Sequence, residues 1–418
     1  MNNNAITILQ VLILLIVAKV SNADTVTFEL IPNASSADDM SPDGRYIVGG
    51  TDTNGDGSPD HVYLLDTASN TMIVLPDLGI PYSGTSAVSD DGLVVLSDIA
   101  DPQDPNPNPA AVAGMWTAAA GWTSLGYLPN AGTCPSRSDG YELSANGSVA
   151  VGLSWDGCSG RGFRWTQATG MVQLQVLAHG ANRASVVSAD GNVIGGFAQG
   201  NQSRTPAIWN AAGQGQLLDP TGNAIGEVQG IADDGTLLLG TWLGASDTVS
   251  RAVTWTYPGL VRSLVGTGSL RPNWGGIPMD VALDRTIVGF DFLIGNRFAW
   301  IQPRGTGPIQ DLATYIMSHG GTVPEDFQLE VCQAISANGR YIIGHSGYYS
   351  QGAWRVTIDK LGDINLDGYV DLVDADALVA VLLGTPINPQ DITRSDIDQN
   401  GLADGRDISA FVGVLLTQ

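Results

Sequence analysis

Two stretches near the C-terminal end carry oxygen donors at matching intervals. Residues 363–374 read D-I-N-L-D-G-Y-V-D-L-V-D, and residues 396–407 read D-I-D-Q-N-G-L-A-D-G-R-D. Asp or Asn falls at positions 1, 3, 5, 9 and 12 of each twelve, with Gly at position 6. Alternate spacing turns every second side chain toward one point, and glycine permits the sharp bend at mid-loop. A hard divalent cation such as calcium takes six to eight oxygens at about 2.3–2.6 Å, one of them the carbonyl of position 7. The first candidate site is therefore Asp363, Asn365, Asp367, Asp371 and Asp374 with the Tyr369 carbonyl. The second is Asp396, Asp398, Asn400, Asp404 and Asp407 with the Leu402 carbonyl. A third, shorter stretch, Asp52-Thr53-Asn54-Gly55-Asp56-Gly57-Ser58-Pro59-Asp60, repeats the theme with Asp52, Asn54, Asp56, Asp60 and the Ser58 carbonyl.

Each C-terminal loop runs into an apolar stripe at helical spacing, which predicts helices over 375–383 and 408–416. The duplicated loop and helix, with Asp rather than the Glu of an EF-hand at position 12 and no entering helix, resembles a type I dockerin module over about residues 360–418. The resemblance implies a module that folds on calcium and docks onto a cohesin-like scaffold module. The family often has Ser or Thr at positions 10 and 11; this chain has Leu372-Val373 and Gly405-Arg406. Ten Asp lie in residues 363–418, and their mutual repulsion predicts folding that depends on the ion. The short loop at 52–60 resembles the calcium hairpin loops of integrin-type propeller blades, which implies that an ion would rigidify a long turn.

Ahead of the tail the chain is a repeat. The turns Ser41-Pro42-Asp43-Gly44, Ser89-Asp90-Asp91-Gly92, Ser144-Ala145-Asn146-Gly147, Ser188-Ala189-Asp190-Gly191, Ala232-Asp233-Asp234-Gly235 and Ser336-Ala337-Asn338-Gly339 recur, with a degraded copy at Ala282-Leu283-Asp284-Arg285. Successive copies are 48, 55, 44, 44, 50 and 54 residues apart, the size of one four-stranded propeller blade. Each turn leads into a β-branched run ending near Gly. An aromatic residue follows in phase: Tyr63, Trp116, Trp165, Trp209, Trp255, Trp300 and Trp354. Seven copies predict a mostly β fold, a seven-bladed β-propeller over 24–359, followed by a small helical calcium-loop domain over 360–418. The seventh copy is one strand short, and residues 25–30 offer the missing strand, which would remove the free sheet edges. These units resemble the HAF repeats of bacterial extracellular proteins over roughly 33–358, a likeness that implies no common activity. The stretch 311–319 departs from blade spacing and predicts a helix between the sixth and seventh blades.

Composition narrows the function. With 18 Lys+Arg against 42 Asp+Glu the net charge is −24, which excludes a phosphate-binding nucleic-acid surface and an anionic membrane face. Residues 5–20 are almost wholly apolar and Ser21-Asn22-Ala23 follows, the pattern of a secretory leader cut after Ala23. That predicts a secreted or cell-surface protein with no membrane span once the leader is removed. Cys134 and Cys158 would then pair in an oxidising surrounding, leaving Cys332 buried and free. No zinc-ligand spacing and no Ser-His-Asp set stands out. The acid pairs Asp90-Asp91 and Asp233-Asp234 sit in repeated turns and read as structural. Trp122, Trp155, Trp242 and Trp274 lie outside the aromatic phase and read as ligand-facing. The expectation is a non-catalytic, calcium-binding recognition protein with a carbohydrate or cell-surface ligand for the propeller and a docking tail. The rival is a polysaccharide-degrading enzyme, a glycosyl hydrolase or lyase. A hydrolase would bring two carboxylates from different blades within about 5–10 Å in the central channel.

Overall fold

A computed structural model describes residues 24–129, 134–156, 158–347 and 351–416. The leader expected over 1–23 lies outside these residues. The described residues form two compact units: one from Val26 to Thr357, the other from Ile358 to 416 together with Asp24 and Thr25. No helix among the described residues is long and apolar enough to cross a membrane.

The larger unit is a seven-bladed β-propeller of seven four-stranded antiparallel sheets. Within six sheets the strands run in chain order. The seventh has the spatial order Thr25–Leu30, Gly352–Asp359, Tyr341–Ser346, Val331–Ile335, so the first strand of the chain completes the last sheet. The join is reinforced where Ile31 donates its amide to Ala353 O at 2.9 Å and Arg355 Nε donates to Glu29 Oε1 at 2.7 Å.

The repeated turn has a local cause. Ser41 Oγ donates to Asp43 Oδ1 at 2.7 Å, while the amides of Arg45 and Tyr46 donate to Asp43 Oδ1 and Ser41 Oγ at 2.9 Å each. The same bonds recur at Ser89/Asp91, Ser144/Asn146, Ser188/Asp190 and Ser336/Asn338. The turn glycines take the left-handed conformation, for example Gly44 at φ 74 and Gly191 at φ 73. In the degraded copy Arg285 adopts it at φ 69, with Nη2 2.7 Å from Asp234 Oδ2.

The glycine that ends the β-branched run is dictated by close approach. A Cβ on Gly152, Gly196, Gly240 or Gly289 would lie 2.1 Å from a carbonyl oxygen of the innermost strand, on Gly344 1.9 Å from Val331 O, and on Gly49 2.1 Å from Ser36 O just ahead of that strand. The phased aromatics lie against several of these glycines: Trp354 faces Gly344 and Trp300 faces Gly289. Tyr63, Trp209, Trp255, Trp300 and Trp354 are fully buried. The apolar clusters each join two consecutive blades; Val149, Val151 and Leu174 of the third pack with Ile194, Ala207 and Trp209 of the fourth. The core is thus a ring of interblade layers. Helix α1 (Leu312–Ser318), capped by Asp311 through the Thr314 amide, follows the outermost strand of the sixth blade. Cys134 and Cys158 form a disulfide with Cα atoms 5.3 Å apart, and Cys332 is free and buried.

In the smaller unit α2 (Leu372–Leu382), α3 (Asp391–Arg394) and α4 (Asp407–Leu415) pack around Ile364, Val370, Leu378, Ile397 and Phe411. Helix α2 begins three residues before the sequence expectation. Asp371 accepts from the Val373 amide and Asp374 accepts from the Asp371 amide, a capping box that recruits the end of the loop into the first turn.

Candidate functional site

The Asp-rich loops share one hydrogen-bond scheme. The position-6 amide donates to the position-1 carboxylate: Gly368 to Asp363 at 2.8 Å, Gly401 to Asp396 at 2.8 Å, and Gly57 to Asp52 at 2.7 Å. All three glycines lie at φ 89 to 91. The position-7 amides of Tyr369, Leu402 and Ser58 donate to Asp367, Asn400 and Asp56. The position-5 amides of Asp367, Asn400 and Asp56 donate to Asn365, Asp398 and Asn54. In the tail, Asp374 and Asp407 are buried and gather the amides of positions 2, 3 and 9. Such bonds aim carboxylates inward and leave further lone pairs for an ion.

The loops differ in how far their donors converge. Carboxylate oxygens of Asp396, Asp398 and Asp407 lie within 4.8 Å of one another, and hard oxygens at that separation suit a calcium-sized cation. Among the described residues no other three acids meet this tightly. In the second loop Asp404 is held by Arg406, whose Nη2 lies 2.7 Å from Oδ2, so position 9 already has a cationic partner. In the first loop Asp363 is buried and Asn365 Nδ2 donates to Asp367 Oδ2 at 2.9 Å. In the blade loop Asp60 accepts from Thr53 through both the amide and the hydroxyl, at 2.8 Å each.

The propeller itself holds an acidic cavity that the repeat pattern does not announce. A cavity of about 320 Å³ runs down the central channel and is lined by residues of all seven blades. The innermost strands of the third to seventh blades carry a β-bulge, which leaves Tyr141, Ser185, Gln229, Met279 and Gln333 out of register. All five line the cavity, as expected where a bulge re-aims a side chain. The next residue in each strand also lines it, and at this level stand Glu142 and Asp280, with Asp39 at the equivalent place in the first blade. At the mouth Asp90 and Asp233 join them. Turn hydrogen bonds run between blades there, from the Asp90 amide to Ala145 O and from the Ala145 amide to Ala189 O.

These acids lie close enough to repel one another. Burial, then the charges of Asp233 and Asp90, push Asp39 up to about 7 against two amide hydrogen bonds. Burial, with Asp233 and Asp39 adding, lifts Asp280 to about 8 despite two amide donors. Glu142 is raised well above the usual carboxylate range by burial and then by Asp39, Asp280 and Asp233. Asp233 rises to about 6 by burial and by Asp90. Two of the acids also clip blades together: Asp39 Oδ2 accepts the Val88 amide and Asp280 Oδ2 the Ile335 amide, both at 2.8 Å.

Among the described lining residues Arg183 is the sole base, and it is already committed. Its Nη2 lies 2.5 Å from Glu227 Oε1, a carboxylate that also accepts from Ser185 and Arg204. The acid pairs therefore divide. Asp91 and Asp234 hold their turns as expected, accepting the Leu93 and Thr236 amides, whereas Asp90 and Asp233 face the channel. Trp122, Trp155, Trp242 and Trp274 do not line it. Trp122 Nε1 donates to Pro76 O at 2.8 Å, the Arg262 guanidinium lies 3.8 Å over Trp242, and Trp274 packs on Phe298 at 5.1 Å. A signal for the channel was present in the sequence, since the acids fall two residues before or one after the first residue of the repeated turn.

No family model and no curated protein matches the chain. Among solved structures it is similar to an oligogalacturonate lyase from Vibrio parahaemolyticus, with a TM-score of 0.52 and 11% identity over 80% of this chain and 97% of that one. A structure described as oligogalacturonate lyase in complex with manganese gives 0.52 and 12% over 80% and 96%. TolB from Acinetobacter baumannii is matched at a TM-score of 0.36 and 12% identity over 69% of this chain, which spans 56% of the TolB chain. The likeness to the lyases is one of fold.

Proposed function

We propose that the protein is a secreted, calcium-dependent recognition protein: the propeller is the ligand platform, and the C-terminal unit is a dockerin-like module that folds on calcium and attaches the platform to a cohesin-like scaffold. One observation carries the reading. The loops at 363–374, 396–407 and 52–60 repeat the same amide-to-carboxylate scheme around a glycine at φ 89 to 91. The residues that would hold the ions are the side chains of Asp363, Asn365, Asp367, Asp371 and Asp374; of Asp396, Asp398, Asn400, Asp404 and Asp407; and of Asp52, Asn54, Asp56 and Asp60, with the carbonyls of Tyr369, Leu402 and Ser58. Calcium would screen the acids of the tail and tie each loop to the helix that follows it.

The test is far-UV circular dichroism of the full-length protein after EDTA. Calcium should restore helical signal, and the double substitution Asp363→Ala/Asp396→Ala should abolish the response. Helicity indifferent to both would overturn the reading.

A second reading, a polysaccharide-degrading enzyme, draws on carboxyls of the first, third and sixth blades sharing one channel with raised proton affinity. Such groups can act as general acids at neutral pH. The same acids would repel a polyuronate chain, so neutral glycans are the substrates to try. Sugar release that vanishes in Glu142→Gln would establish this reading over the first.

A further inference from the structure

We propose that the end of the propeller away from its repeated turns, across the third to sixth blades, is a binding surface for an extended acidic glycan, a chain of carboxylated or sulfated sugars. The proposal rests on the function above in taking the propeller as the ligand platform, and it names the class of ligand; it does not depend on calcium in the tail.

The placement of the cations leads there. In each sheet the repeated turn joins the first two strands at one end of the blade, and the third strand starts at the other end. Arg stands at the start of that third strand in four consecutive blades: Arg161 within Ser159–Thr166, Arg204 just ahead of Thr205–Asn210, Arg251 at the head of Arg251–Thr256, and Arg297 within Asn296–Gln302. The register sets Arg161 opposite Ser154, Arg251 opposite Trp242 and Arg297 opposite Phe292, where the second strands finish. The first, second and seventh blades open the same strand with His61, Ala111 and Gly352. Such a row stands out in a chain with 18 Lys+Arg against 42 Asp+Glu.

The charge of the row is not cancelled locally. Arg183 and Arg204 share one carboxylate, that of Glu227, and the Arg204 side chain stays 51% exposed. Arg251 donates to the Ser269 hydroxyl at 3.0 Å, and Arg271 lies 4.6 Å over Trp274 and 3.9 Å over Phe298; neither forms an ion pair with a described residue. Acids of the same blades are turned to backbone amides instead. Asp219 accepts from Thr221, Asn223 and Ala224, Asp247 from Gly244, and Asp291 from Arg271. Asp90 and Asp233 stand in the repeated turns, at the opposite end of the blades.

The form of the cations selects the ligand. Every one is Arg, whose planar fork of donors matches the paired oxygens of a carboxylate or sulfate. They are dispersed one to a blade, which suits a chain with repeated acid groups rather than a single small ion. Nucleic acid binding would need open aromatic faces on which bases stack. Here Arg137 lies 5.7 Å over Trp155, Arg204 4.7 Å over Phe197 and Arg271 4.6 Å over Trp274, so guanidinia already occupy those rings and are held in place by them.

The test is calorimetric titration of the calcium-loaded full-length protein, freed of excess ion, with hexamannuronate as the carboxylated probe and sulfated maltohexaose as the sulfated one. Saturable binding of at least one is expected, and unsulfated maltohexaose should not bind. Arg204→Gln/Arg251→Gln should weaken binding about tenfold or more; Glu227 keeps Arg183 and Ser185 as partners in this variant, and its tryptophan emission and urea midpoint check its fold. Should it fail to fold, Arg204→Gln alone should still weaken binding about threefold. Arg45→Gln/Arg340→Gln makes the same change of charge at the turn end and should alter binding by less than about twofold. No saturable heat with either acidic probe, equal binding of maltohexaose, equal loss in the turn-end variant, or tighter binding of hexathymidylate would each overturn the proposal. The helicity response of the tail to calcium is a separate readout, so failure of one reading is distinguishable from failure of the other.

Discussion

Replacing Asp280 by Asn should change the sign of its effect on stability with pH. In the folded chain Asp280 Oδ2 accepts from the Ile335 amide at 2.8 Å and Oδ1 from the Val281 amide at 2.7 Å. Asparagine keeps one acceptor and turns an NH₂ toward the other donor, a loss of about 1 kcal/mol. Against this stands the carboxyl's charge. Burial, with Asp233 and Asp39 adding, raises the group from 3.8 to about 8. Above pH 4 the unfolded chain has lost this proton while the folded chain retains it, so stability falls as pH rises toward 8 and then levels off. Each pKa unit corresponds to about 1.4 kcal/mol. Sharing of protons with Asp39 and Glu142, and access of channel water, reduce the full effect to on the order of 2–3 kcal/mol. Asp280→Asn should therefore be less stable than the parent by about 1 kcal/mol at pH 3.5, where neither state has lost the proton, and more stable by on the order of 1–2 kcal/mol at pH 8.5. Urea unfolding followed by tryptophan emission reads this directly, because all 10 Trp lie in the propeller. A difference of one sign at both pH values would refute the claim that the channel acids are held against their own charge.

Other outcomes follow from the geometry. Gly344→Ala drives a Cβ to 1.9 Å from Val331 O and 2.5 Å from Trp354; overpacking of this kind should lower stability by about 2–3 kcal/mol in urea unfolding. Reducing the Cys134–Cys158 bridge, which closes a separation of 24 residues, should cost about 3 kcal/mol in the chain-entropy picture, read as a lowered melting temperature with dithiothreitol. Ser336→Ala removes the hydroxyl that donates to Asn338 Oδ1 and accepts the Tyr341 amide; a loss of about 1–2 kcal/mol is expected. The equivalent position in the fifth blade is Ala232, so Ala232→Ser should be neutral or stabilising in the same assay.

The number of blades can be read from the repeat alone. A turn of Ser-x-Asp-Gly type recurring at 44 to 55 residues is a local device, and local hydrogen bonds from Ser41 and Asp43 are enough to build it. The phased aromatics and the spare strand at 25–30 were legible for the same reason: one repeat explains the next. Even the glycine after each β-branched run was visible, although only the fold supplies its cause, a carbonyl of the innermost strand pressed against the Cα. Tertiary structure alone decided the channel. Asp39, Glu142 and Asp280 stand far apart along the chain, and nothing in any single repeat says that a bulge turns its neighbour inward or that closing the ring sets three blades' acids face to face. Asp90 and Asp91 look alike as a pair, yet one holds a turn and the other faces the cavity. Repetition writes local geometry into every copy; the electrostatics of the axis exists only after all the copies have met.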